Sequence, residues 1–165
     1  MYTFSRVGPS VLLSLVLLAC GGGDGGGGPD STTPVSSQPL SGTVAGRPFT
    51  AVSAIAFEDM AVPGDKLIQI SEVPQECTNL GDLSEGRRDL TLVGPWNVHS
   101  APLSLENILG VIVYRDEKPD ISLMVAGRVE FIETPTAVGA LGTLRVRGAN
   151  STDSVEGEVS VRVCE

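Results

Sequence analysis

The chain is poor in the residues that most enzyme chemistry uses. One of its 165 residues is histidine (His99), one is tryptophan (Trp96), three are cysteine, and aromatics make up 4%. A single histidine excludes His-rich metal sites, and the absence of a Gly-x-Ser-x-Gly elbow or a Cys–His spacing excludes the common nucleophilic triads. His99, close to Trp96 in a turn-rich segment, reads as surface structure. There is no His-Glu-x-x-His, no phosphate-binding glycine loop and no dinucleotide fingerprint. Positive charge is also scarce: 11 Lys and Arg face 20 Asp and Glu, a net charge of −9. That balance argues against nucleic acid and against adhesion to anionic lipid. No run approaches the roughly 20 apolar residues that cross a bilayer.

Glycine is plentiful by contrast, and its placement follows an informative boundary. Residues 11–19 are apolar apart from Ser14, Arg6 is the one charge before them, and Leu17-Leu18-Ala19-Cys20 runs directly into Gly21-Gly22-Gly23-Asp24-Gly25-Gly26-Gly27-Gly28. The first two features are the n-region and h-region of an export signal. Leu17, Ala19 and Cys20 resemble the cleavage site of bacterial lipoproteins, with Leu18 larger than usual at its position. The resemblance implies cleavage before Cys20 and diacylglyceryl modification of its thiol. Further acylation of the new amino group would follow, several chains being needed because one acyl chain binds a membrane only reversibly. The alternative is a plain secretory signal with an incidental cysteine. Removing residues 1–19 takes away only Arg6 among the charges, leaving 10 basic against 20 acidic side chains, or −10. Gly21 is not the inner-membrane retention aspartate, so the resemblance implies an outer-membrane location.

Three segments follow from composition: a signal peptide over 1–19, the lipidated cysteine with a disordered tether over 20–39, and one domain over 40–165. In 21–39, built almost wholly from Gly, Ser, Thr, Pro and Asp, Val35 is the one aliphatic side chain. Such a segment buries too little to offset its ordering entropy. At roughly 5–6 Å × √n it places the domain on the order of 25 Å from the bilayer.

The domain's apolar residues come in short alternating runs between turn residues, which predicts strands. Phe49, Ala51, Ser53, Ile55 and Phe57 are expected on one face. Residues 111–114 and 121–125 flank Arg115-Asp116-Glu117-Lys118-Pro119-Asp120, which reads as a hairpin loop. Val129 and Phe131, Leu144 and Val146, and Val159, Val161 and Val163 alternate with charged or polar residues, as an antiparallel sheet with one wet side requires. The expected fold is all-β, an antiparallel β-sandwich or small open barrel of about eight or nine strands. A short helical turn is expected around 76–81. With Cys20 lipidated and the chain exported, Cys77 and Cys164 are expected to bond to each other, two buried free thiols being the alternative. Closing that 87-residue loop would remove roughly 4–5 kcal/mol of unfolded-state entropy.

Acidic clusters at Glu58-Asp59, Asp116-Glu117 with Asp120, and Asp153 with Glu156 are weighed as calcium ligands, but none follows the EF-hand order and solvated loop charge is the preferred reading. Trp96 and Tyr114 are the candidate binding surface for a glycan or protein partner, against core packing. Asn150-Ser151-Thr152 reads as a turn. Nothing in the sequence requires a cofactor or a metal. Beyond residue 40, the opening Ser41-Gly42-Thr43-Val44-Ala45-Gly46-Arg47-Pro48-Phe49, the central 70–77 segment ending in Cys77, and Val155-Glu156-Gly157-Glu158-Val159 running to Cys164 resemble a class of small lipoproteins of Gram-negative bacteria with no established activity. The resemblance implies no catalytic residue. The expectation is a lipid-anchored envelope protein with a non-catalytic binding or assembly role. Its alternatives are a hydrolase with a carboxylate-based site and a carrier of a small apolar ligand.

Overall fold

The computed structural model describes residues 32–58, 64–78, 84–95, 99–115 and 118–165. Cys20, Trp96, Asp59, Asp116 and Glu117 lie outside them. Of the helical turn expected at 76–81, only Glu76, Cys77 and Thr78 are described, and the last two form a turn.

The domain is all-β and is the open-barrel alternative. β1 (Ser41–Val44) and β2 (Arg47–Thr50) form a hairpin, followed by β3 (Ser53–Glu58), β4 (Asp65–Ser71), β5 (Arg88–Pro95), β6 (Ser100–Pro102), β7 (Ile108–Arg115), β8 (Lys118–Met124), β9 (Ala126–Glu133), β10 (Leu141–Ala149) and β11 (Ser154–Val163). Nine strands make one open, strongly curled sheet in the order β6-β9-β10-β11-β3-β4-β5-β7-β8, and β1 adds its hairpin onto β11. Every pairing of named strands is antiparallel except the short parallel contact of β11 with β3.

The alternation in the last third of the chain becomes the two faces of β9–β11. Val129, Phe131, Leu144, Val146, Val155, Val161 and Val163 enter the core, while Arg145 and Arg147 stand directly opposite Glu158 and Glu156 across the strands. Opposite charges facing across a ladder stabilise it modestly. The curl brings the far strands onto the same core. A Cβ on Gly148 of β10 would lie 2.4 Å from Leu109 of β7 and 2.5 Å from Met124 of β8, so the walls meet only because that residue has no side chain.

The strand beginning at Phe49 departs from expectation. The ladder breaks at Ala51 and Val52, so Phe49 shares the core with Ala54 and Ala56, and Ile55 is buried on the convex side instead. The break satisfies the local backbone, since Ala51 N–H donates to Leu40 O and Val52 N–H to Ser71 O. β8 also begins earlier than the apolar pattern does, taking Lys118, Pro119 and Asp120 into the strand.

The described part of the segment expected to be a tether, residues 32–39, is held against the domain. Arg147 donates to the carbonyls of Thr33 and Pro34 at 3.1 and 2.9 Å, Glu156 accepts Ser36 N–H at 3.0 Å, and Glu130 accepts Val35 N–H at 3.3 Å. Val35 is buried, and Gln38 O and Leu40 N–H bond to β11. Residues 33–39 therefore form a strap across β9–β11. Composition undervalued one valine and the strap's backbone groups, for which the outward charges of β9–β11 supply ready partners. At the opposite end of the chain, Cys77 and Cys164 are disulfide-bonded with a Cα–Cα distance of 5.3 Å.

The hairpin β1–β2 lies over the core, and one side chain holds it there. Arg88 on β5 points inward with Leu90 and Leu92, is 6% exposed, and donates to Val44 O (3.0 Å), Arg47 O (3.0 Å) and Pro48 O (2.9 Å). It also pairs with Glu72 and lies 5.9 Å from the centroid of the Phe49 ring. Replacing it should expose several buried acceptors at once. Arg88→Met is expected to lower unfolding stability by about 3 kcal/mol in urea titration, whereas Arg145→Met, which loses a surface pair, should cost less than about 1 kcal/mol. The hairpin's turn carries its own strain, because Ala45 adopts φ 51° beside Gly46 at φ 71°. A side chain is disfavoured in that left-handed region, so Ala45→Gly should raise stability by about 0.5–1 kcal/mol, read as a higher urea midpoint at unchanged slope.

Candidate functional site

Most polar groups with unusual environments are consumed inside the fold. On the convex side of β5, Asp89 is fully buried. Arg87 engages both its oxygens at 3.1 and 2.9 Å, and Gln69 donates to it at 2.7 Å. The Tyr114 phenol is pushed up by burial and by the Asp89 charge, with Arg87 opposing. Tyr114 itself is half-buried, and its backbone pairs with Gly86 and Arg87. His99 is exposed, and its carbonyl accepts Phe131 N–H at 2.9 Å.

Of the acidic clusters, Glu58 pairs with Lys66 and also accepts Gly64 N–H, and in that order they hold its carboxyl below the usual range. Glu156 is held low first by Arg147, with Ser36 N–H adding to the effect against burial. Among the described residues, no group of three or more His, Cys, Asp or Glu side chains gathers as metal ligands do.

Asp153 has the most specific role. It is 4% exposed and accepts Ala45 N–H (2.7 Å), Asn150 Nδ2 (3.0 Å), Thr152 Oγ1 (3.2 Å) and Ser122 Oγ (3.3 Å). Those donors come from the β1–β2 turn, the β10–β11 turn and strand β8. Asp153 is thus a clasp across the seam where the curled sheet approaches closure. Two more bonds reinforce it, Val125 N–H to Ala149 O at 3.1 Å and Asn150 Nδ2 to Leu123 O at 3.3 Å.

Beyond the clasp the seam gapes. A hollow of about 480 Å³ opens there, with Val111 and Val113 among its lining and Arg115, Asp120, Ser122 and Asp153 beside them. β8 borders this opening as an end strand, with no strand on its second edge among the described residues. Six of its seven residues are exposed. Two are large and apolar, Ile121 (60% exposed) and Leu123 (50%), and Val125 (78%) and Leu105 (92%) extend the apolar surface around a hollow of about 230 Å³ lined also by Leu103 and Ile108. An exposed apolar edge strand is a site for strand addition by a partner.

Sequence reading brought none of this together. Pro119 and Asp120 read as part of the hairpin loop over 115–120, and Ile121 and Leu123 as part of the apolar run 121–125 that flanks it. The available signal was the length of the apolar stretch 121–125, which shows no alternation of its own with charge. Comparison of the chain with protein-family models, with curated proteins and with solved structures finds no match.

Burial alone would raise the Asp153 carboxyl, and the donors from Asn150, Ala45, Thr152 and Ser122 outweigh it and hold it below its ordinary value. A carboxyl lowered on folding stabilises the native state above its unfolded pKa of about 4, and that contribution disappears as pH falls through the lower folded value. Asp153→Asn keeps the volume and loses the charge. It should lower the melting temperature at pH 7 and flatten the loss of stability between about pH 4 and pH 2, as followed by thermal melts across that range.

Proposed function

We propose that the protein is a lipid-anchored component of a Gram-negative cell envelope, held by acyl chains on Cys20, and that it acts by binding rather than by catalysis. Its contact surface is the free edge of β8 with the adjoining apolar side chains. The observation that carries the binding half of this reading is the exposure of Ile121, Leu123, Val125 and Leu105 along and beside β8, whose second edge has no strand on it among the described residues. Contiguous exposed apolar surface on a small domain marks interaction sites. A hydrolase reading has less support, because the buried carboxylates Asp89 and Asp153 are each engaged by donors from the fold itself. A carrier reading has less support too, because the concave side is filled by Leu40, Phe49, Leu90, Leu109, Leu144 and their neighbours.

The anchoring half rests on the Leu17-Leu18-Ala19-Cys20 sequence and the glycine-rich stretch behind it. Gly21 favours the outer membrane by resemblance. The strap begins at Thr33, so 12 residues, 21–32, separate Cys20 from it. A chain of that length reaches on the order of 20 Å at roughly 5–6 Å × √n.

The two halves separate experimentally. Expressed as the full chain in a Gram-negative host, the protein should fractionate with the outer membrane and carry the mass of an acylated Cys20, and Cys20→Ser should abolish both; an unmodified wild-type mass overturns the anchor. For the contact surface, Ile121→Cys should react with a thiol-directed maleimide at least tenfold more slowly in native membranes than in dilute purified protein. Ser160→Cys, exposed on the charged face, should react equally in both. Equal labelling of both sites everywhere overturns the binding surface.

A further inference from the structure

We infer that β8 pairs antiparallel with β8 of a second copy of this chain, about a two-fold axis through Ile121. The inference rests on the binding surface proposed above and names its occupant.

The argument starts from which backbone groups the free edge offers. In a strand, N–H and C=O of one residue point to the same side, and the side alternates residue by residue. Leu123 O and Val125 N–H point away from β7, because their partners are Asn150 and Ala149 across the seam. By that alternation Ile121 and Pro119 face the free edge as well. Pro119 has no N–H to give, a position proper to an edge strand. The edge therefore presents Pro119 C=O, both groups of Ile121, and Leu123 N–H, while Leu123 C=O is already engaged by Asn150.

These groups are self-complementary. With Ile121 opposite Ile121 of the second copy, each Ile121 N–H meets the other's C=O, and residue 119 falls opposite residue 123. Each Leu123 N–H then meets a Pro119 C=O. The one missing donor, at Pro119, falls opposite the one acceptor that already has a donor, at Leu123. The two irregularities of the edge lie two residues to either side of Ile121, so a two-fold axis superimposes each on the other. A foreign strand gains nothing from that symmetry, whereas a second copy satisfies it entirely, as an isologous interface requires.

The side chains agree. Residues 119, 121 and 123 share the convex face, so Ile121 packs on its symmetry mate and Leu123 on the other copy's Pro119. They extend an apolar face continued on β7 by Ile112, which stands opposite Ile121 in the ladder. On the concave face Asp120 falls opposite Ser122 of the other copy, not opposite Asp120, and it lies 3.9 Å from Arg115 of its own chain. No like charges face each other directly.

The test uses the full lipidated chain in native membranes. Residues at a hydrogen-bonded antiparallel pair sit about 5.5 Å apart at Cα, within disulfide range, whereas diagonal neighbours lie at about 7–8 Å, outside it. Under mild oxidation Ile121→Cys should yield a covalent dimer at least tenfold more abundantly than Asp120→Cys, and the parent chain should yield none. In sedimentation of the detergent-purified protein over a rising concentration series, the parent should shift from monomer towards dimer while Ile121→Lys stays monomeric throughout. The exposed position of Ile121 leaves its melting temperature unchanged. Absence of the Ile121→Cys dimer, or equal dimer from both positions, overturns the inference. If Ile121→Cys is shielded from maleimide in membranes and yet forms no dimer, self-pairing falls and the contact surface stands with another partner; if it is neither shielded nor cross-linked, both fall.

Discussion

A curled sheet that stops short of closing must cover its core by some other means, and in this protein the cover hangs on the guanidinium of Arg88. The hairpin β1–β2 carries Val44 and Phe49 into the core and, among the described residues, pairs as a ladder with the main sheet only through β1 and β11. Among the described residues no strand lies on the second edge of β2, and the carbonyls of Val44, Arg47 and Pro48 around its turn end take donors from a side chain. Arg88 reaches them from β5 on the far side of the core, with Glu72 compensating its charge. A planar cation with five donors suits this task and a lysine does not, because the acceptors are spread over three peptide groups. Without this contact β2 would hang from β1 alone along its length, with buried carbonyls left unpaired.

The clasp at Asp153 solves a different problem at the other rim. Ala45 sits in a left-handed turn that disfavours any side chain, and its N–H is fixed by the Asp153 carboxylate at 2.7 Å. The same carboxylate holds Ser122 on β8 and the β10–β11 turn, so the hairpin tip, the end strand and the opposite wall share one acceptor. The seam is closed at this point and open beyond it. The clasp fixes the orientation of β8 while leaving Ile121 free, which keeps an exposed strand edge from being a merely frayed one.

The sequence revealed strands far better than it revealed faces. β9, β10 and β11 were legible because one side faces water and the alternation of Val and Leu with Arg and Glu is direct. The same logic misplaced Ile55 and Phe57, since the break at Ala51 and Val52 shifts the face by one residue and no charge marks it. The buried ionic groups were illegible for a related reason. Arg88, Asp89 and Asp153 occur among other charges, in segments that composition alone assigns to solvent, and only the partners brought from distant strands make them interior residues. The strap was missed because its attachment depends on backbone groups of Thr33, Pro34 and Ser36 meeting Arg147 and Glu156, a pairing of residues more than a hundred positions apart.

On the proposed reading, the strap and the free edge act together. The strap fixes the point of departure of the lipid tether on β9–β11, so the anchor constrains the orientation of the domain and not merely its distance from the bilayer. Two copies related by a two-fold axis along the membrane normal then bring both tethers to the same surface, and one along the membrane plane does not. Confinement matters because the interface offers only four backbone bonds and a few aliphatic side chains, too little for a permanent dimer in dilute solution. Anchored copies meet at an effective concentration set by tether length and surface density, which raises a weak pairing without any added contact. A short tether, a partly guarded edge and a single symmetric register therefore favour reversible pairing on the membrane over the open-ended strand addition that an unguarded edge would invite.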